Sequence, residues 1–74
     1  MDRSAAVLQD LYDSEINYVI APFWDTGFTV KLGDDLNGFV ASGIADTFAN
    51  AVEWLLLRAI EHYPDSVFAK THRA

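Results

Sequence analysis

A helix that is apolar over more than one stripe must be covered by something else in the fold, and the stretch from Asp46 to Tyr63 is such a helix. Asp46 or Thr47 supplies a short side-chain oxygen for the N-cap, and Pro64 cannot continue the ladder beyond Tyr63. Between them stand Ala49, Ala51, Leu55, Leu56, Leu57 and Ala59, good helix formers uninterrupted by Gly or Pro. Steps of about 100° bring Phe48, Val52, Leu55, Leu56, Ala59 and Tyr63 onto one stripe, the expected core face. Asn50, Glu53 and Glu61 make the far side polar, yet Trp54 and Leu57 fall there as well. The N-terminal helix is the expected cover for Trp54, the alternative being a second protein. Leu57 is left to external contact or to plain exposure.

The rest of the chain must provide the covering layer. Residues 3–13 read as a short helix, with Ser4 as N-cap and Val7, Leu8, Leu11 and Tyr12 at helical spacing. Asp13-Ser14 breaks it. From Glu15 to Trp24 the pattern changes to alternation in branched and aromatic residues, a strand. Pro22 lacks a ladder donor, so the strand belongs at a sheet edge. Asp25-Thr26-Gly27 is a three-residue hairpin loop, and Phe28 to Leu32 returns as a second strand. Pairing Trp24 with Phe28, Pro22 with Val30 and Ile20 with Leu32 sets every inward residue against another. Gly33 to Gly38 reads as the next turn, with Leu32 then opposite Phe39 and Val30 opposite Ala41. Phe39 and Ala41 would point inward and Val40 outward beside Lys31. The third strand is expected to fade at Ser42-Gly43. The tail would hold a brief strand or turn around Val67-Phe68 and then fray.

The expected fold is therefore one α+β domain over residues 1–74: helix, three-stranded antiparallel meander, long helix (αβββα), with both helices on one face of the sheet. The other face would carry Asn17, Val19, Ala21, Phe23, Thr29, Lys31, Val40 and Ser42. It is either an interaction surface or a solvated face with scattered apolar residues. The candidate contact residues are Val19, Phe23, Lys31 and Val40 on the sheet, with Trp54 and Leu57 on the helix.

A chain of 74 residues without cysteine has no disulfide to staple it, which leaves dense aromatic packing or oligomerisation. A homodimer is one form the second remedy takes. Eleven acidic residues against five basic ones give a net charge of −6, and the basic residues are scattered. Phosphate neutralisation needs a basic patch, so direct nucleic-acid binding and anionic membrane binding are not expected. The apolar run Tyr18–Trp24 is too short to span a bilayer, and the first ten residues lack signal-peptide character. The expected location is cytoplasmic.

Nothing here points to catalysis. Asp34, Asp35 and Asn37 are oxygen-rich, but the GDDLNG turn is too short for a calcium loop, and turns favour these residues for backbone reasons. His62 and His72 are separated by a proline break unlike zinc spacing, and His62 suits the C-terminal end of a helix dipole. Ser14, Ser42 and Ser66 lack a nucleophile's motif context, and no glycine loop cradles phosphate. No catalytic, cofactor-binding or metal residues are assigned and no cofactor is expected.

The run from Gly27 to Ile60, with Gly27-Phe28, Gly38-Phe39-Val40, Asp46-Thr47 and Ala51, resembles HicB-like antitoxin domains over roughly residues 18–62. The resemblance implies a hairpin, a glycine-containing third strand and a capped amphipathic helix, and a regulator that neutralises a toxin. An acidic protein capping a basic partner would suit the charge. No functional residues carry over. The order helix, three strands, helix is also similar to double-stranded RNA-binding domains, whose activity the acidic balance opposes. The expected function is a small non-enzymatic protein-interaction module, self-associating or bound to a protein partner. An antitoxin-like regulator and a small ligand-binding or enzyme subunit are the alternatives.

Overall fold

The computed structural model describes residues 3–72. Their order is α1 (Ser4–Asp13), β1 (Tyr18–Phe23), β2 (Gly27–Asp34), β3 (Gly38–Ala45), α2 (Phe48–His62) and α3 (Val67–His72). The strands form an antiparallel meander with β2 in the middle. Val7 and Leu11 of α1, Leu32 of β2, Val52, Leu55, Leu56 and Ala59 of α2 and Phe68 of α3 share one core. All the helices thus lie on one face of the sheet. Val30 and Leu32 are fully buried there, and Tyr18 and Ile20 pack on the same core, so these side chains face inward as expected, whereas Pro22, expected inward as well, is exposed.

The register differs from the expected one by one pair along the strands. Phe23 stands opposite Gly27, Ile20 opposite Val30 and Tyr18 opposite Leu32. Side-chain alternation alone cannot see such a slip, because a shift of two leaves every residue on its own face. The turn decides it. The Thr26 N–H donates to the Phe23 carbonyl at 3.0 Å, and Gly27 follows with φ +99°. This is the tight turn plus left-handed glycine of a three-residue hairpin. A Cβ on Gly27 would lie 2.5 Å from the Ala45 carbonyl oxygen, so glycine is required twice over. Trp24, expected inward opposite Phe28, instead stands at the hairpin tip, 97% exposed.

The second hairpin repeats the device. Asp34 pairs with Gly38 around Asp35-Leu36-Asn37, so β2 runs on through residues expected to be turn. Leu32 faces Ala41 while Gly33 faces Phe39, which leaves Val40 as the extra residue of a β-bulge. Phe39 consequently lies outward rather than inward, its ring 5.0 Å from the Lys31 Nζ. Ala41 points to the core side as expected. Nor does β3 fade at Gly43; it continues to Ala45. The indole of Trp54 occupies the space a side chain at Gly43 would fill, 3.0 Å from an ideal Cβ. Trp54 therefore packs under β3, and it also borders the core to which α1 contributes Val7 and Leu11.

Thr47 is the N-cap of α2, its Oγ1 accepting from the Asn50 N–H at 3.1 Å, and Tyr63 ends the helix before Pro64. Phe48, expected on the core stripe, sits at its border, edge-on to Phe28. Around α1 the caps differ from expectation. Arg3 is the N-cap position and Ser4 is the first helical residue. At the other end the Ile16 N–H reaches the Leu11 carbonyl and the Glu15 N–H the Tyr12 carbonyl, a Schellman motif. It places Glu15 at φ 60° and packs Ile16 beside Leu11 in the core. Residues 15–17 are thus helix exit, and β1 starts at Tyr18.

The tail is helical, against the expected strand or turn. Ser66 caps it: its Oγ accepts from the Ala69 N–H at 3.0 Å and donates to the Tyr63 carbonyl at 2.7 Å. Phe68 and Ala69 enter the core, Phe68 stacks on His72, and His72 Nε2 meets Asp10 Oδ2 at 2.8 Å. The chain that should have frayed over residues 69–72 is clasped to α1. Arg73 and Ala74, included in that expectation, lie outside the described residues.

Candidate interaction surface

The outer side of the sheet is covered by no described element. Strand register arranges it in rows: Val19, Lys31 and Ser42 in one, Ala21, Thr29 and Ile44 in the next, then Phe23 beside Gly27. Phe39 borders the first row through its contact with Lys31. The central strand thus contributes Thr29 and Lys31, while the larger apolar groups sit on the flanks. Val19, Phe23 and Ile44 are exposed, Ile44 at 76%. A cation over an exposed aromatic ring contributes about 0.5–1 kcal/mol, enough to bias where the Lys31 ammonium rests.

Of the six expected contact residues, the structure brings Val19, Phe23 and Lys31 together on this face. Val40 does not join them. Being the bulged residue, it borders a depression with Ile16, Asn17, Gly38 and Tyr63, while Ser42 and Phe39 are the neighbours of Lys31. Trp54 and Leu57 are on α2, behind the sheet; Trp54 is half-buried against β3, and Leu57 is exposed. Ile44 and Phe39 were not anticipated. Ile44 continues the alternation past Gly43, but a glycine looks like a strand's end unless one knows that an indole lies beneath it. Phe39 needed the bulge.

The oxygen-rich turn is committed to holding itself together. Asp34 Oδ1 accepts from the Asn37 N–H at 2.7 Å, and Asp34 Oδ2 from Asn17 Nδ2 at 2.7 Å and Asn37 Nδ2 at 3.4 Å. These donors, the Asn37 backbone first, hold the Asp34 carboxyl below the usual carboxylate range. Asp46 is lowered in the same way, first by the Asn50 side chain, which donates to it at 2.8 Å. Both carboxylates work as turn and cap fasteners. Among the described residues no group of three or more His, Cys, Asp or Glu is placed to hold a metal ion. His62, in the last turn of α2 where a cation complements the helix dipole, lies 3.5 Å from Glu61. His72 is engaged by Asp10. Among the described residues no helix is long and apolar enough to cross a membrane. No protein-family model, no curated protein and no solved structure matches this chain.

Proposed function

We propose that this chain is a small non-enzymatic protein-interaction module whose recognition element is the open face of the sheet. The observation that carries the reading is the exposure of Val19, Phe23 and Ile44 on a face without a covering layer. The shortest dimension of the molecule, 17 Å, leaves room for one helix layer on one sheet and no more. A partner that fits offers apolar groups to the two flanks and a hydrogen-bond acceptor or carboxylate to Lys31 between them. The test compares the wild type with a Phe23→Ser, Ile44→Ser variant as bait in native lysate. Proteins retained by the first and lost by the second support the reading; identical retained sets sink it.

An antitoxin-like regulator capping a basic protein is the second reading. It is favoured by the net charge of −6 and by the carboxylates of Asp25, Asp34, Asp35 and Asp46 at the strand ends. Because Lys31 opposes a basic partner on the open face, this reading uses the strand ends instead. Binding to a basic partner would weaken steeply with added salt, whereas salt-insensitive capture by the open face would count against it.

A further inference from the structure

The two edges of the sheet are unlike. β1 carries Pro22, which removes a ladder donor and blunts its edge. β3, GFVASGIA, has no proline and no charged residue in a chain that is 22% charged. Its one protective feature is the bulge at Val40, which bends the Gly38 end away and leaves Ala41–Ala45 as a regular strand with one edge unpaired. Behind the end of that segment stand Asn50 and Trp54 of α2, bordering Ile44 and Ala45.

We propose that this edge pairs with the same edge of a second copy, antiparallel and two-fold symmetric, with Gly43 on the axis. The proposal rests on the reading of the chain as an interaction module but assigns the strand edge, which shares only Ile44 with the apolar groups of the open face, and names the occupant. Three observations select a second copy here. First, the segment is self-complementary about Gly43. Ser42 of one copy then faces Ile44 of the other, both on the open side. Ala41 faces Ala45, both on the helix side, so no residue is forced through the sheet. Second, Gly43 is where the Trp54 indole comes up beneath β3, so the axis brings two indoles together below a bare backbone. Third, the open face is a poor self-contact, since two copies face to face would oppose their Lys31 ammoniums, whereas the edge is neutral.

The area sets the strength. The five paired residues, Ala41–Ala45, make an edge about 17 Å long. With a wall 17 Å high this is about 290 Å² in projection per copy, below the usual size of stable specific interfaces. The dimer is accordingly very weak, with dissociation at about 100 micromolar or above.

Sedimentation equilibrium of the full chain over a range of concentrations is combined with disulfide trapping, which the absence of native cysteine keeps clean. The wild type is expected to pass from monomer to dimer with concentration. A Ser42→Cys, Ile44→Cys double variant is expected to give a covalent dimer on mild oxidation. Val19→Cys on the open face is the control expected to give no covalent dimer. Ser42→Glu places a charge on an exposed position of the edge, opposite Lys31 within the sheet where an acidic group is tolerated, leaves helix content and Tm unchanged, and raises the dissociation constant at least about tenfold. Monomer at every concentration overturns the proposal, as does a dimer indifferent to Ser42→Glu or one trapped only through Val19→Cys. The last outcome would leave the open-face reading standing, and capture lost with Phe23→Ser alone, on the opposite edge strand, would do so whatever the β3 edge does.

Discussion

The same three strands present two faces with opposite fates. On the helix side the central strand supplies Val30 and Leu32, which no water reaches. On the open side the central strand supplies Thr29 and Lys31, and the apolar groups stand on the flanking strands. Alternation assigns residues to faces, but burial is decided by which elements exist to cover them. The helix side has α1, α2 and the unforeseen α3; the open side has solvent. The open surface keeps its apolar groups at the margins and an ammonium near its centre.

Phe68→Ala would strain this contrast most. It removes a fully buried ring and is expected to cost about 3–5 kcal/mol in denaturant unfolding. A loss below about 1 kcal/mol would mean that α3 is an appendage and not part of the covering layer.

The helix-side layer was legible for α2 because its stripe, its Thr47 cap and its Pro64 stop agree with one another. α3 was not. Residues 67–72 are too short to show a period, and what makes them helical is a partnership across the chain. Phe68 enters a core built by α1 and α2, and His72 reaches Asp10. Inner and outer sides of β1 and β2 were readable from alternation, whereas the register and the side taken by Phe39 depended on Gly27, Gly33 and Gly38, all at positive φ. A glycine in a sequence signals freedom without saying which way it is used. On the candidate surface this separated Val19, Phe23 and Lys31, placed by alternation, from Val40 and Ile44, placed by a bulge and by an indole under Gly43.

A smaller effect of opposite sign is expected at the cap that turns Ile16 toward the helix side. Glu15 holds a left-handed conformation that costs most residues about 1–2 kcal/mol. Glu15→Gly should therefore stabilise by up to about 1 kcal/mol once glycine's own entropy is subtracted. Measured destabilisation would show that the glutamate side chain has a role beyond occupying the position.

The smallest change belongs to the open side. Phe23→Ser, at a position 52% exposed, is expected to stay within about 0.5 kcal/mol of the wild type by thermal melt. A large loss would show that Phe23 supports the fold, and would remove it from any contact surface.

Pro22 also limits how far such a molecule can accumulate. On the proposed edge pairing, with one rim of the sheet interrupted by an imide nitrogen and the other taken by a symmetric mate, association would close after a single addition. A neutral strand that would otherwise invite open-ended fibres would thereby be confined to a pair.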